Sequence, residues 1–547
     1  MNRAWDFFKS NKKYWVLLGL VLLGSYGFAI THHSIGIDDT CIELYFEDGI
    51  APAMGRWCIY LLGKVINITS FAPWFMELVS TLIFAVSVTL WAMLFYRILG
   101  DKVSWAVYCM FACVFVSCPL ISEVYVYYLH NGLCTGYGVV ALALHALLDV
   151  FVVSSSWKKR ICSGIISVVG LLVSIGFYES FLLVFAFGAI MVLFLLLDAK
   201  GQEEKYIAKP FRWAGVVAGI AMASILLRSV VLHALQFIFG YSIPENYTVG
   251  YRSIFENLGQ DKGELMMALK KYIIMYWANA YAYFPIAVLV AGFLIIGLYA
   301  LVWKRNIWMV LCSLAMGVLP ALLVIIEGYP THYRASQYVP LVGAFALLLV
   351  GKELCERKTS KYVKWAGVAG ALILIFNQCA DMNKWFYVDY LKYQDAENVM
   401  RRIAYDLESQ YDTSKPIVFR GAYMVPYEIC KDAYVEYGSE KYYKITRIAD
   451  LLGEHVKDKF NDSRAFRIAE TPLNSTLQWG VTAFDGTATQ LGEFWKMLGC
   501  DNFIIEQNLT VIENAEQYMI ESGMPGYPQE GYIAELEDYI IVNLTSN

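Results

Sequence analysis

Two adjacent carboxylates, Asp38 and Asp39, follow the first long apolar segment of the chain. A carboxylate at a membrane boundary is partly desolvated, which raises its pKa and makes it a better base near neutral pH. Because neighbouring side chains on an extended segment point in opposite directions, the two cannot both face one substrate unless the backbone turns. We expect one of them to accept a proton and the other to hold the segment in place, and the residues leave open which is which.

Three further acids, Glu43, Glu47 and Asp48, lie in the same stretch. Glu43 and Glu47 are spaced as on one face of a helix, which indicates the solvated side of a short helix along the membrane surface. A divalent cation could bind between Asp39, Glu43 and a phosphate, but these spacings are not diagnostic of a metal site. We predict no metal and no cofactor.

Other charged residues lie in or beside apolar segments. Arg228 falls inside such a segment, where an unpaired charge costs about 3 kcal/mol or more, so it needs a partner or a ligand. Acids near one end of these segments suggest a polar cavity open to that side; they are Glu77, Glu123, Glu179 and Glu327. Two aromatic runs, Tyr125–His130 and Tyr276–Pro285, could stack on sugar faces, although tyrosines also collect at membrane interfaces for amphipathic reasons.

The elements that must position these residues are membrane spans. The 547 residues are 58% hydrophobic and 17% charged, and the mean hydropathy is +0.48, which excludes a water-soluble globule. A span needs about 20 apolar residues. Eleven spans are predicted, at 14–31, 74–96, 103–121, 132–153, 161–178, 180–197, 211–232, 283–303, 307–327, 337–351 and 362–380.

The distribution of Lys and Arg predicts the orientation of the chain. The N-terminal tail and the connections on its side carry 20 basic residues, whereas the opposite connections carry 7. We therefore place the N-terminus in the cytoplasm, and Asp38, Asp39 and the C-terminus outside.

The composition changes after residue 380. The last 167 residues contain 27 acidic and 15 basic side chains, which indicates a solvated domain and argues against nucleic acid as a partner. A helical pattern at "YLKYQDAENVMRRIAYDLESQ" precedes a strand at "PIVFRG", a helix at "TATQLGEFWKMLG" and a hairpin of "GYIAEL" with "YIIVNL". We predict a membrane domain at 1–380 and an extracytoplasmic α/β domain at 381–547.

The membrane part resembles the GtrII-like glucosyltransferases, within the GT-C class of polyprenyl-phosphate-dependent glycosyltransferases. The resemblance rests on the basic N-terminus, "IDD" after the first span, "GRW" opening an interfacial helix, "FYES" between two middle spans, and an Arg shortly before the tenth span. It implies a multi-pass bacterial plasma-membrane enzyme of GT-C type that moves a hexose, glucose first, from a polyprenyl-phosphate donor to a cell-surface glycan on the outer face.

The resemblance also implies roles for residues. Asp38 or Asp39 would deprotonate the acceptor hydroxyl, and the donor phosphate would need external cations. The candidates for that contact are Arg56, Arg228, His332 and Arg334. Glu123, Glu179, Tyr125, His130 and Tyr178 would line the substrate cavity.

Two other function classes also fit a chain of this composition. A transporter or flippase would show charges at the membrane midplane and symmetric broken helices, whereas here the polar residues crowd towards one face. A membrane anchor that presents a glycan-binding domain would leave Arg228 and the Asp38–Asp39 pair without a role.

Overall fold

The structure is a computed structural model, mostly helical in the part it describes. It describes residues 2–35, 50–53, 55–66, 73–125, 130–199, 205–207, 209–240, 263, 266, 269–270, 284–327, 335–357, 359–421, 423 and 488–545.

The helices are numbered here in chain order among the described residues. They are α1 Asn2–Ser10, α2 Lys12–Thr31, α3 Ile50–Ala53, α4 Trp57–Ile66, α5 Pro73–Leu99, α6 Trp105–Val116, α7 Ser122–Tyr125, α8 His130–Val150, α9 Trp157–Phe177, α10 Phe181–Asp198, α11 Pro210–Phe239, α12 Phe284–Leu298, α13 Ile307–Glu327, α14 Val339–Glu356, α15 Lys361–Gln410, α16 Thr489–Met497 and α17 Leu509–Ser522. A π-helical turn, Tyr299–Lys304, continues α12.

Each of the eleven predicted spans overlaps one of these helices, although the bounds differ, most clearly for 103–121 and 362–380. In the described part, eight helices are long and apolar enough to cross a membrane: α2, α5, α8, α9, α10, α11, α12 with its π turn, and α15. Two shorter apolar helices lie at Trp105–Val116 and Ile307–Leu322. The chain is therefore a multi-pass membrane protein, while the number of spans and their orientation stay predictions.

The spanning helices pack around α8 and α10, whose side chains are largely buried, and the outer helices expose apolar side chains to lipid. Helix α11 is the clearest case, because only 11% of the residues in its most apolar stretch are buried. Large side chains such as Met222, Leu226 and Phe237 project outward from it. A charged residue on such a helix is stable only on the narrow face that meets other helices.

A network of charges pins the ends of three helices together. Lys352 of α14 contacts Asp198 at the end of α10 at 2.9 Å, and both side chains are almost fully buried. Lys304 contacts Asp198 at 3.0 Å and also pairs with Glu353. The Tyr299 hydroxyl lies 2.6 Å from Asp198 Oδ2 and 2.8 Å from Glu353 Oε1. Opposite charges and hydrogen bonds thus compensate one another, as burial of such groups requires.

The C-terminal part contains a three-stranded sheet of β1 Ile417–Arg420, β2 Ile533–Glu535 and β3 Ile540–Asn543, in the order β1-β3-β2. Strand β1 pairs with β3 in parallel, and β2 pairs with β3 antiparallel. The predicted hairpin, the strand at "PIVFRG" and the helix at "TATQLGEFWKMLG" are confirmed.

The two faces of this sheet bury alternate side chains, as the two-residue period of a strand demands. One face packs against the second half of α15 and against α16, with Phe419 and Val542 in the shared core. The other face packs Val418 and Ile541 against α17.

Helix α15 runs without interruption across residue 380, where the sequence indicates a change of domain. Its 50 residues correspond to a length of about 75 Å, more than twice the hydrocarbon thickness of a bilayer. Its first half exposes Trp365, Ile373 and Phe376, and its second half packs on the sheet. One rigid helix therefore links the apolar part of the chain to the sheet.

Candidate functional site

The turn between α9 and α10 presents an acidic side chain at a helix junction. Helix α9 ends at Phe177, and Tyr178 adopts an extended backbone, while its N–H still donates to Ser174 O. The N–H groups of Phe181 and Leu182 then donate to the carbonyls of Tyr178 and Glu179, which starts α10. This three-residue connection fixes Tyr178 and Glu179 at the end of both helices.

Arg228 of α11 meets this turn. Its Nη2 donates to Glu179 Oε1 at 2.7 Å, and the side chains are 25% and 24% exposed. The sequence requires a partner for a charge in this lipid-facing helix, and Glu179 is that partner.

Each of the three residues of the "GRW" segment makes a close contact at this site. Gly55 has φ +81°, and a Cβ there would overlap the Arg228 guanidinium. Arg56 Cζ lies 4.4 Å above the centre of the Tyr178 ring, and Arg56 Nε is 3.8 Å from Glu179 Oε2. Trp57 packs against Gly176, where a Cβ would come within 2.5 Å of the indole nitrogen. We call Arg56, Tyr178, Glu179 and Arg228 the arginine cluster.

Two guanidinium groups meet one carboxylate in the arginine cluster, at 2.7 Å for Arg228 and 3.8 Å for Arg56. Arginine presents several N–H donors in a plane, which suits the oxygens of a phosphate or carboxylate ligand. The carboxylate of Glu179 orients the guanidiniums, and the Tyr178 ring supports Arg56 through a cation–π contact. The cluster can therefore hold an anion with groups that are already in place.

A second constellation lies where the chain leaves α2. The Ser34 hydroxyl donates to Asp389 Oδ2 of α15 at 2.7 Å, and Asp389 is 2% exposed. Ile35 is buried in the core around the sheet. His33 Nδ1 lies 3.9 Å from Glu77 Oε1, and burial lowers the pKa of His33 to about 4, although the nearby Asp389 opposes this. The imidazole is therefore neutral near pH 7.

The remaining predicted residues divide into three groups. Tyr125 is 1% exposed, and its hydroxyl lies 2.6 Å from Thr81 Oγ1 and donates to Glu77 O at 2.8 Å. Glu123 lies in α7 and His130 begins α8, and for both the structure describes the backbone alone. Four predicted residues lie outside the described part: Asp38, Asp39, His332 and Arg334.

Sequence reasoning missed how the motifs meet. It treats "GRW" and "FYES" as separate motifs. Gly55 and Gly176 are a hint of their contact, because a residue without a Cβ lets another group approach closely, here Arg228 and Trp57. The Ser34–Asp389 hydrogen bond was also missed, since neither residue belongs to a motif. Among the described residues, no three His, Cys, Asp or Glu side chains gather as a metal site.

The family comparison decides what class of protein carries this site. A model described as "Glucosyl transferase GtrII" matches residues 27–351, more than half of the chain. The chain belongs to the GtrII glucosyltransferase family. The matched range includes the arginine cluster and the Asp38–Asp39 pair, and the resemblance predicted from the motifs is confirmed.

This GtrII family member has no match among curated proteins. Among solved structures, the crystal structure of ArnT from Cupriavidus metallidurans bound to undecaprenyl phosphate aligns with a TM-score of 0.39 and 11% identity. The alignment covers 79% of this chain and 87% of that chain. Membership of the GtrII family makes the chain a membrane glycosyltransferase, so the transporter and the glycan-binding anchor no longer stand as alternatives.

Proposed function

We propose that this glycosyltransferase moves a hexose, with glucose the first candidate, from a polyprenyl-phosphate donor to a cell-surface glycan at the outer face of a bacterial plasma membrane. The observation that carries the proposal is the arginine cluster, which brings two arginine side chains to one helix junction in a GtrII family member. Arg228 and Arg56 would contact the donor phosphate, and Glu179 and Tyr178 would hold them in position. His332 and Arg334 would contribute from the connection before α14.

In the proposed reaction, Asp38 or Asp39 removes the proton of the acceptor hydroxyl. The hydroxyl oxygen then attacks the anomeric carbon of the donor from the face opposite the phosphate. The bond from that carbon to the phosphate oxygen breaks, the polyprenyl phosphate leaves with the electron pair, and the configuration inverts. One base is enough, because the phosphate leaves without a proton, unlike the alcohol that a glycosidase must protonate.

A lipid-linked donor fits both the chain and the proposed location. Sugar nucleotides are cytoplasmic, and a polyprenyl phosphate can carry an activated sugar to the outer leaflet, where a membrane-embedded enzyme can reach it. In the predicted orientation, α9 and α11 both end at the outer face, so the arginine cluster would lie at the level of the donor headgroup. The substrate-cavity role of Glu123, Tyr125 and His130 remains part of the proposal.

The test is transfer of radiolabelled glucose from undecaprenyl phosphate to a surface-glycan fraction of the source bacterium by the full chain in nanodiscs. We expect Asp38→Asn or Asp39→Asn to lower kcat by about 100-fold or more, the usual worth of a general base, with donor binding kept. Glu47→Gln is the matched control from the same acidic stretch.

Full activity in both Asp variants would remove these acids from the chemistry. A wild-type enzyme that transfers glucose from no lipid-linked donor, but transfers another sugar from the same carrier, would correct the sugar and keep the mechanism.

A further inference from the structure

The C-terminal part of the chain contains a pocket of about 370 Å³ that lies at the carboxyl ends of the two parallel strands. Arg420 ends β1, Asn543 ends β3, and the two residues are paired in the sheet. Ligands of α/β sheets bind outside the carboxyl ends of the strands. The volume is near the lower end of the range of ligand sites, about 300–1,000 Å³, and suits one small ring.

The wall opposite the strands comes from α17 and the residue after its C-cap. Glu516, Met519 and Ile520 are spaced so that they share one face of the helix, and Met524 follows just beyond its end. Ile520 is 75% exposed. These side chains form an apolar edge that a ligand can cover, and methionine adapts its shape to the partner.

The floor of the pocket is rigid. The Asn543 amide donates to the carbonyls of Met524 and Pro525 at 3.0 and 3.1 Å. Gly421 has φ +79°, and a Cβ there would overlap the Thr545 side chain. A ligand would therefore meet a preformed surface, which lowers the entropic cost of binding.

One ion pair supplies the polar side of the pocket. Arg420 pairs with Glu516, and their side chains are 19% and 50% exposed. The pair offers N–H donors and carboxylate acceptors side by side, a combination that suits neighbouring hydroxyl groups. Its net charge is zero, and residues 381–547 carry 27 acidic against 15 basic side chains, so the surrounding field disfavours anions.

We infer that this pocket binds a neutral pyranose unit of the acceptor glycan, with its hydroxyls on Arg420 and Glu516 and its C–H face on Met519 and Ile520. The inference rests on the proposed function, because it takes the acceptor to be a glycan. It adds a second contact away from the arginine cluster, which would hold a polymeric acceptor near the enzyme between transfers.

Saturation-transfer NMR of the full chain in donor-free nanodiscs tests the binding directly. The probes are the methyl pyranosides of glucose, galactose, mannose and rhamnose, with methyl glucuronide as the anionic comparison. We expect at least one neutral glycoside to bind in the millimolar range and methyl glucuronide not to bind. Glu516→Gln and Ile520→Glu should weaken that binding about fivefold or more, the effect of one lost hydrogen bond or contact.

The control is Glu513→Gln, an exposed carboxylate on the same helix that does not line the pocket. In the transfer assay, the two pocket variants should raise KM for the polymeric acceptor about fivefold and leave the donor KM unchanged. Binding that is equal in all variants, or stronger binding of the glucuronide, would overturn the inference while normal transfer upheld the proposed function. Absence of transfer by the wild type would instead remove the proposed function, and the NMR measurement would still decide the pocket.

Discussion

Arg228 is a charge in the interior of a helix that mostly exposes apolar side chains, and it lies on the face that meets Glu179. Its ion pair with Glu179 explains why the charge is tolerated there. The same turn also brings Arg56 to Glu179 and Tyr178, and two guanidinium groups at one turn are the kind of donors that a phosphate ligand uses. The roles of the four residues in the arginine cluster are therefore separable by substitution.

We predict that Arg228→Gln raises the donor KM about tenfold or more, because one charge-assisted hydrogen bond contributes about 1.5–3 kcal/mol. The acceptor KM should not change. The measurement is initial transfer rate against donor concentration in nanodiscs. The matched control is Arg212→Gln, an exposed arginine at the start of the same helix. An unchanged donor KM in the Arg228 variant would make the pair purely structural.

Gly55 tests the geometry of the same site without changing any charge. We predict that Gly55→Ala lowers the apparent thermal stability by the equivalent of about 1–2 kcal/mol, because φ is positive there and alanine disfavours that backbone. It should also raise the donor KM, since the added Cβ displaces the Arg228 guanidinium.

The Gly55→Ala, Arg228→Gln double variant separates the two effects. Both changes act on one guanidinium, so the double variant should have the same donor KM as Arg228→Gln alone, a clear departure from additivity. The control is Gly219→Ala on α11, where a Cβ would meet nothing within 4 Å. Additive changes in KM would show that Gly55 acts elsewhere.

At the scale of the elements, α15 joins two parts of the chain that the sequence presents as separate. Its first half is apolar and its second half is amphipathic, and this change in pattern predicts a boundary at 380. The backbone hydrogen bonds of a helix do not depend on that pattern, so the helix continues through it. The result is one continuous helix. Its second half packs against the sheet, and its Asp389 accepts a hydrogen bond from Ser34, just after the end of α2.

We predict that Ser34→Ala lowers kcat about three- to tenfold with the donor KM unchanged. The Ser34 hydroxyl and the buried Ile35 fix the chain just before Asp38 and Asp39, and a bond to a buried carboxylate is among the stronger hydrogen bonds. The comparison is Ser409→Ala, an exposed serine on α15. Wild-type kcat in the Ser34 variant, measured with saturating donor and acceptor, would show that this anchor does not position the acids.

The sequence predicted individual elements well and their contacts poorly. Long apolar runs mark helices because membrane burial constrains composition directly, and alternating residues with a polar break marked the β2–β3 hairpin. The pairing of Arg56 with Glu179 could not be read this way, because they are far apart in the chain and helix packing alone brings them together. Arg228 was the exception, since the cost of a lone charge in a lipid-facing helix demands a partner.

For the whole molecule, the orientation in the membrane decides whether an outer-leaflet donor can reach the arginine cluster. Helix α9 sets the distance between Cys162 and the arginine cluster, because Cys162 lies near its start and the cluster lies just beyond its end at Phe177. The intervening turns correspond to about 22 Å of helix, most of the hydrocarbon thickness. A label at Cys162 therefore reports the side of the membrane opposite the cluster.

We predict that a membrane-impermeant maleimide labels Cys162 in inverted vesicles and not in intact cells, in a chain whose other cysteines are replaced. In the same cysteine-free background, Ser522→Cys at the end of α17 should be labelled in intact cells, because an odd number of spans places the sheet outside. Retained glucosyl transfer is the control for folding of each variant. Labelling of both sites from one side would require an even number of spans between Cys162 and the sheet. A fully reversed pattern would place the arginine cluster in the cytoplasm, where a sugar nucleotide could serve as donor and the lipid carrier would lose its purpose.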